Sequence, residues 1–499
     1  MDLPEDRANV KWTAARQLDY GTAPATEKTA MPAALRLHPD RFFSPEESVR
    51  AVARRLFAQV EKLPIISPHG HTDPAWFATD APFEDATSLF LWPDHYVLRM
   101  LYSQGIGLER MGLAPAGGTA EQDRRVCWKL FAENYRLFRG TPSRAWLDHV
   151  FAAVFKLEVR LEAATADLYY DTINQALVTP TFRPRALFKR FNIEVLATTE
   201  GAIDPLEHHA KIKSEWGGRV ITTFRPDDVV DPDRDDFAAN VLRLGALTGE
   251  NTAIWQGYRN ALANRRAFFR AHGATATDHG HPTARTADLP ADECQGLLDR
   301  ALKGKLAAGE AELFRAQMLT EMALMSCDDG MTMQIHPGSF RNHNPALFAA
   351  FGRDRGADIP MRVSYVDALK PLLDRVGNRS DLTIILFTLD ESNYARELAP
   401  LAGHYPCLKL GPPWWFHDSP EGMMRFRRQT TETAGFYNTV GFNDDTRAYL
   451  SIPARHDLAR RIDCAYLAEL VAVHRLDEEE AAQTAVDLAY KLPKAAYKL

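Results

Sequence analysis

The sequence lacks several features that mark specialised classes of protein. It has only five cysteines in 499 residues and no CxxC spacing, so it predicts neither a disulfide framework nor a thiolate zinc site. No uninterrupted apolar run reaches about 18 residues, which argues against a membrane-spanning helix. The first residues, from Met1 to Asp6, are acidic and contain a proline, unlike a secretory signal. We therefore expect a protein of the reducing cytoplasm.

An excess of basic charge is missing as well. The chain has 59 lysines and arginines against 66 aspartates and glutamates, which gives a net charge of -7. This balance excludes a generally basic nucleic-acid binder, and we expect neither nucleic acid nor a membrane as a partner. A local cationic pocket remains compatible with it. The hydrophobic content of 45% and the charged content of 25% are ordinary for a globular protein.

Short apolar segments separated by helical stretches indicate the fold class. The predicted strands are Leu63–Ile66, Ile193–Thr199, Arg219–Thr223, Ala274–Thr277, Met331–His336, Leu382–Phe387, Cys407–Leu410 and Phe436–Phe442. Strands that alternate with helices favour parallel βα units, and eight of them predict an α/β fold of the (β/α)₈ barrel type.

The length predicts one elaborated domain over residues 1–499 rather than several domains. A typical barrel needs about 250 residues, so about half of the chain is additional. Residues 1–40 lack periodicity and are interpreted as an N-terminal arm. Residues 74–190 are mostly helical and rich in aromatics, and we expect them to form an insertion after the first strand.

The sharpest motif is His69-Gly70-His71, directly after the first predicted strand. Residues two apart on a strand share a face, so at the carboxyl end of a barrel strand two imidazoles could chelate one divalent ion. Two loop histidines with hydrogen-bonding roles are the alternative. His279-Gly280-His281 has the same spacing, and spacing alone allows either pair. We prefer the first pair because it follows the more convincing strand.

Further polar residues follow other predicted strands, where the active sites of barrels gather. They are Arg225, Asp278, His336, Asp444, Asp445 and Arg447, and Trp414 follows the strand that ends at Leu410. Each charged residue could instead form a salt bridge or a helix cap. The run Trp414-Trp415-Phe416 could pack in a core or stack on the apolar face of a sugar. Together these residues predict a barrel mouth that contains His, Asp and Arg.

An ordered series of motifs extends from about His69 to Tyr497. It comprises His69-Gly70-His71, Asp94-His95-Tyr96, Thr223-Phe224-Arg225-Pro226-Asp227, Thr277-Asp278-His279, Gln334-Ile335-His336, Arg341-Asn342, Trp414-Trp415-Phe416, Asp445-Thr446-Arg447 and Arg455-His456. This series resembles the uronate (glucuronate) isomerase family of the amidohydrolase superfamily. The resemblance implies a distorted (β/α)₈ barrel with a large helical insertion after the first strand. It also implies interconversion of D-glucuronate with D-fructuronate, and of D-galacturonate with D-tagaturonate.

The resemblance further implies a ligand set and an active site. One divalent metal ion, with zinc as the expected ion, would be held by His69, His71 and Asp445, although such ligands also suit manganese, cobalt or iron. The implied catalytic residues are Asp445, Tyr96, Arg447 and His95, and the implied substrate-binding residues are Arg225, Asp278, His336 and Trp414. The family also suggests a homo-oligomer.

The expected chemistry moves a carbonyl from C1 to C2 through an enediolate, whose charge a divalent cation would stabilise. We assign proton handling to Asp445, Tyr96 and Arg447 without fixing which of them abstracts the C2 proton. Arg225 would hold the carboxylate of the small-molecule uronic acid, because a guanidinium matches a carboxylate in bidentate geometry.

Two other functions are compatible with the motifs. A metal-dependent hydrolase of the same superfamily is the nearer one, but many such enzymes hold two metals through a modified lysine on the fourth strand. Thr277-Asp278-His279 contains no lysine, which favours a mononuclear site. The second alternative is a catalytically inactive sugar-acid-binding protein, which the intact set of His69, His71, Asp445 and Arg447 disfavours.

Overall fold

Residues 32–499 are described by a computed structural model of the chain. Residues 1–31 of the predicted N-terminal arm lie outside this range. In the remainder of that segment, Ala34 pairs with Val159 in an antiparallel bridge, and Leu35 N donates to Glu158 O at 2.7 Å. These bonds fix residues 33–35 against the region between the first two strands. The division of the chain into an arm at 1–40 and an insertion at 74–190 stays a prediction.

A parallel sheet forms the centre of the described part of the chain. Its strands, in spatial order, are β1 (Ile65–Ser67), β2 (Ile193–Gly201), β3 (Val220–Arg225), β4 (Ala276–His279), β5 (Thr332–Ile335), β8 (Ile384–Leu386) and β9 (Leu408–Leu410). A small antiparallel pair, β6 (Ser339–Phe340) and β7 (Ile359–Pro360), stands apart from this sheet. The seven central strands are almost entirely buried, as expected for a parallel sheet covered on both faces.

The eighth predicted strand, at 436–442, is not a regular strand. Thr439 forms one parallel bridge with Leu410, supported by Val440 N donating to Leu410 O at 3.0 Å. A turn at 436–438 shortens the segment, and Gly441 at φ +76° departs from extended backbone. Farther along, His71 N donates to Thr446 O at 3.0 Å, so the same segment meets the end of β1. These contacts close the ring and confirm a distorted (β/α)₈ barrel.

Helices separate the strands in the βα order that the sequence predicts. Before β1 lies α1 (Glu47–Val60), and between β1 and β2 lie α2 (Pro74–Thr79), α3 (Ala86–Phe90), α4 (His95–Tyr102), α5 (Arg124–Asn134), α6 (Pro142–His149), α7 (Ala166–Leu177) and α8 (Pro184–Arg190). From β2 to β5 the helices are α9 (Glu207–Glu215), α10 (Asp227–Val230), α11 (Phe237–Thr248), α12 (Trp255–Ala271), α13 (Ala291–Leu302) and α14 (Glu310–Asp329). The remaining α-helices are α15 (Pro345–Phe351), α16 (Val366–Val376), α17 (Ala399–Ala402), α18 (Pro420–Ala434), α19 (Ile452–Ala472), α20 (Glu478–Val486) and α21 (Leu492–Ala496). Short 3₁₀ or π turns occur at Leu108–Met111, Tyr135–Phe138, Val150–Val154, Ala163–Thr165, Pro180–Phe182, Tyr394–Leu398, Tyr449–Ser451 and Asp487–Lys491.

None of the helices in residues 32–499 is both long enough and apolar enough to cross a membrane.

The helices between β1 and β2 enclose an aromatic core that joins the barrel. Trp128 and Phe151 are fully buried in it. Tyr449, which precedes α19, packs its ring edge-on against Phe77 with 5.0 Å between centroids and donates its hydroxyl hydrogen to Pro184 O at 2.9 Å. Burying one such aromatic side chain stabilises the fold by about 1.5–3 kcal/mol. The insertion is therefore fixed to the barrel wall, and it can hold the side chains of α4 over the mouth.

We expect the loss of one partner from the buried ion pair between α18 and α19 to be strongly destabilising. Arg427 donates to both oxygens of Asp463, at 2.7 and 3.1 Å, and the two side chains are 5% and 12% exposed. Asp463→Ala would leave a buried guanidinium unpaired, which costs about 3–5 kcal/mol. Chemical denaturation of the variant measures this loss of unfolding free energy.

The same two helices provide the control. Arg428 and Glu469 also pair, but their side chains are 56% and 38% exposed. Glu469→Ala should cost at most about 1 kcal/mol, because solvent screens the pair. Equal losses for the two variants would contradict the expected effect of burial.

Candidate active site

One pocket at the carboxyl ends of the strands collects every site residue predicted from the sequence. These residues are His69, His71, His95, Tyr96, Arg225, Asp278, His336, Trp414, Asp445 and Arg447. They come from strand ends, from α4 of the insertion and from the segment after the eighth-strand position. The pocket therefore depends on the barrel and on the insertion together.

Three side chains form a cluster that could hold a metal ion. One ligand atom each from His69, His336 and Asp445 lies within 4.8 Å of the other two. His71 reaches the same carboxylate, with its Nε2 3.2 Å from Asp445 Oδ1, while Nε2 of His69 lies 3.5 Å from that atom. The resemblance implies that His336 binds substrate and lies close to the metal site, and the geometry places it beside two of the expected ligands.

The imidazoles of this cluster have the donor chemistry of metal ligands. His336 Nδ1 donates to Asp278 Oδ1 at 2.7 Å, which leaves the buried Nε2 without a hydrogen-bond partner among the described residues. Burial lowers the pKa of His69 to about 4, although the carboxylate of Asp445 opposes the shift. The His69 ring is therefore neutral near pH 7, which is the form that binds a cation.

Asp445 supplies the negative charge of the cluster. Burial alone would raise the pKa of this carboxyl group, but the imidazoles of His69 and His71 outweigh burial and hold the pKa below its usual range. The backbone of Asp445 has a φ of +36°, a left-handed conformation that is uncommon for a residue with a side chain. Strained conformations of this kind gather at functional sites.

Arg225 lies at the end of β3 between two carboxylates. Its Nε donates to Asp227 Oδ2 at 2.7 Å, and its Nη1 lies 3.1 Å from Asp278 Oδ2. Burial would lower the pKa of Arg225, but Asp227 and Asp278 raise it above its usual value. Since Asp278 also accepts the hydrogen bond from His336, this one carboxylate joins the arginine to the metal-competent cluster.

The insertion contributes His95 and Tyr96 from the first turn of α4, which Asp94 caps through Oδ1. Tyr96 donates its hydroxyl hydrogen to Asp418 Oδ1 at 2.7 Å and accepts a hydrogen bond from Phe416 N at 3.0 Å. Burial, reinforced by Asp418, raises the pKa of Tyr96 well above 10. Burial lowers the pKa of His95 to about 3, so its ring is neutral. The pocket thus receives an un-ionised phenol and a neutral imidazole from this helix.

Trp414 and Arg447 also belong to the pocket lining. Trp414 is 8% exposed, and its ring centroid lies 4.7 Å from that of His336, so the indole covers one side of the cluster. The half-exposed guanidinium of Arg447 lies 3.3 Å from Asp354 Oδ2.

Sequence reasoning missed three aspartates of the pocket, of which Asp358 accepts from Arg341 at 2.8 Å. Asp418 pairs with Arg455 at 2.8 Å and accepts from Tyr96, and its position after β9 was a signal that the strand-end rule could have used. Asp354, the partner of Arg447, lies between α15 and β7 and follows no barrel strand. No spacing pattern marks it.

The second histidine pair lies outside the pocket lining. His279 and His281 are both buried, and His279 Nε2 is 3.0 Å from Thr277 Oγ1. Asp278, between Thr277 and His279, points into the pocket instead, as alternation along β4 requires. Of the two similar motifs, only His69-Gly70-His71 places its imidazoles beside Asp445.

Comparison with known proteins identifies the family. A family model described as glucuronate isomerase matches residues 44–497. A uronate isomerase of Rhizorhabdus wittichii is 67% identical over 472 residues, covering 94% of this chain and 100% of the relative. One of Xanthomonas axonopodis pv. citri is 65% identical over 467 residues, covering 93% and 99%. The crystal structure of glucuronate isomerase from Caulobacter crescentus aligns with a TM-score of 0.92 at 60% identity, covering 93% and 97% of the two chains. These matches confirm the resemblance carried by the motifs: the chain belongs to the glucuronate isomerase family.

Proposed function

We propose that the chain interconverts the aldose and ketose forms of uronic acids, D-glucuronate with D-fructuronate and D-galacturonate with D-tagaturonate. Family membership supports an aldose–ketose isomerase of uronates. The observation that carries the proposal is the shared carboxylate of Asp278, which contacts His336 at 2.7 Å and Arg225 at 3.1 Å. A uronate has a carboxylate at one end and a reacting carbonyl at the other. Arg225 offers a positive partner to the carboxylate, and a metal ion held by the cluster would offer one to the carbonyl.

The residues of the cluster fit one divalent metal ion, which we expect to be zinc. His69, His71 and Asp445 would hold it, and the unpaired Nε2 of His336 faces the same cluster. Histidine and carboxylate ligands suit zinc in a catalytic site. When bound, such an ion polarises a carbonyl oxygen and stabilises the negative charge of an enediolate.

We assign the proton transfer between C2 and C1 to Asp445. Asp278, Asp354 and Asp418 each pair with an arginine, whereas Asp445 faces the imidazoles of His69 and His71. Its ionised carboxylate can take a proton from C2 and return it to C1 of the same substrate.

The other catalytic candidates act on oxygen atoms of the substrate. Tyr96 keeps its proton, because its pKa is raised well above 10, and it serves as a hydrogen-bonding group rather than a base. The neutral ring of His95 can bond a sugar hydroxyl. Arg447, at the mouth, supplies a permanent positive charge to an oxygen that becomes negative. Trp414 excludes water from one side of the cluster.

A cytoplasmic location and a homo-oligomeric state belong to the same proposal. The five cysteines, all within the described residues, are free thiols, and four of them are buried. Unpaired thiols are typical of a reducing compartment.

The first test is direct conversion. The metal-loaded protein should convert D-glucuronate and D-galacturonate to their ketoses, followed by proton NMR of the sugar signals. Asp445→Asn should abolish turnover, because it removes the carboxylate charge. Release of product from an ester or amide without ketose formation would support the hydrolase instead. Binding of uronate without turnover would support an inactive binding protein.

The second test concerns the metal. Elemental analysis should find one divalent ion per chain, and chelation should remove the ion and the activity together. His69→Ala should lower metal affinity by more than the roughly 10- to 100-fold that follows loss of an outer-shell partner. His281→Asn is the matched control from the second His-Gly-His motif, and it should retain the metal. Loss of the ion from both variants alike would refute the assigned ligand set.

The third test concerns the substrate carboxylate. Arg225→Met should raise KM for glucuronate roughly 10- to 100-fold, because a hydrogen bond to a charged group is worth about 1.5–3 kcal/mol. The value of kcat should change less, since the carboxylate is remote from C1 and C2. Arg219 is exposed and directly precedes β3, the strand that ends at Arg225. Arg219→Met is therefore the control and should leave KM unchanged. An unchanged KM in Arg225→Met would remove the anchor role.

A further inference from the structure

The glycine of the second His-Gly-His motif lies directly against Arg225, a residue of the pocket lining. Gly280 directly follows β4, two residues after Asp278. A Cβ atom added at Gly280 would lie 2.0 Å from Arg225 Nη2 and 2.9 Å from Asp227 Oδ2. The first distance is far below any van der Waals contact. Gly280 is not among the residues with positive φ, so the backbone alone does not demand glycine there.

The backbone of Gly280 also orients Asp227. Its backbone nitrogen donates to both carboxylate oxygens of Asp227, at 3.3 Å each, and Asp227 Oδ2 in turn accepts from Arg225 Nε at 2.7 Å. On the other side of the guanidinium, Asp278 Oδ2 lies 3.1 Å from Nη1. Two carboxylates thus fix the Nε and Nη1 sides of the guanidinium, and the absent side chain of Gly280 leaves the space that Nη2 occupies.

We propose that Gly280, together with Asp227, positions the guanidinium of Arg225 for the substrate carboxylate, an inference that rests on the anchor role of Arg225 in the proposed function. Neither residue touches the reacting carbons. Gly280 acts by leaving room and by donating its N–H to Asp227, and Asp227 acts by holding Nε. Bidentate recognition of a carboxylate depends on the orientation of the guanidinium plane, so a displaced guanidinium loses its partner.

The consequence of a side chain at position 280 can be separated from a loss of folding. The atom that would be displaced is the far end of a long, flexible arginine and not backbone. The guanidinium can tilt to clear a methyl group while it stays close to both carboxylates, so neither is left unpaired. Its plane then leaves the orientation fixed by Asp227 and Asp278. The structure therefore predicts a defect in substrate binding rather than in stability.

The central experiment compares Gly280→Ala with the parent enzyme in its metal-loaded form. KM for glucuronate should rise about tenfold, equivalent to about 1.4 kcal/mol, while kcat changes by less than about threefold and the thermal unfolding temperature stays close to that of the parent. Gly296→Ala on α13 is the matched control. Its Cβ would lie 3.2 Å from Nη1 of Arg300, an arginine paired with Glu310 outside the pocket. That variant should leave KM unchanged.

A double-mutant cycle decides whether the effect passes through Arg225. In an Arg225→Met background, Gly280→Ala should raise KM no further, because the displaced group is already missing. Asp227→Asn provides a second variant should Gly280→Ala fold poorly. It keeps the size of the side chain but removes the charge that holds Nε, and its effect on KM should also vanish in the Arg225→Met background.

The outcomes separate the two proposals. If Arg225→Met leaves KM unchanged, the anchor role fails and the positioning role fails with it. If Arg225→Met raises KM but Gly280→Ala and Asp227→Asn do not, only the positioning role is overturned. The positioning role is also overturned if Gly280→Ala and Asp227→Asn raise KM by the same factor in the parent enzyme and in the Arg225→Met background.

Discussion

A single buried carboxylate, that of Asp278, is the constraint on which the pocket depends. A carboxylate in this position is costly unless it is paired, and here it is shared between Arg225 from β3 and His336 after β5. The parallel register pairs Asp278 with Gln334 and Thr277 with Phe224. The side chains of Arg225, Asp278 and His336 therefore reach the same rim of the barrel. The spacing between the arginine and the metal-competent cluster is therefore set by the sheet itself.

The other half of the pocket is built by contacts between distant parts of the chain. Tyr96 on α4 meets Asp418 after β9, and Arg455 on α19 meets the same aspartate. The guanidinium of Arg455 also lies 3.7 Å from the ring centroid of Trp146 on α6. These contacts tie the insertion to the barrel at the point where His95 and Tyr96 enter the pocket, so the helices between β1 and β2 form part of the pocket wall.

Strand ends were predictable from the sequence, because short apolar runs mark strands and the carboxyl ends of parallel strands share one rim. That rule is enough to bring His69, Arg225, Asp278 and His336 together, and the resemblance added His95 and Tyr96. Two features did not follow from local pattern. The segment at 436–442 is apolar enough for a strand, but a turn and Gly441 reduce it to one bridge. The pairing of Arg447 with Asp354 joins segments whose separation no periodicity encodes.

The reduced eighth strand would give a bound metal ion a second, thermodynamic role. His69 and His71 follow β1, Asp445 follows the bridge at Thr439, and the two segments meet across the seam where regular strand pairing is missing. An ion bound by residues from both segments would stabilise the contact between them. Metal binding and closure of the barrel would then be thermodynamically linked. Binding to the folded state alone at 100 times the dissociation constant adds about 2.7 kcal/mol. The ion would then stabilise the closed barrel, and a shortage of the ion would lower the folding stability of the protein as well as its activity.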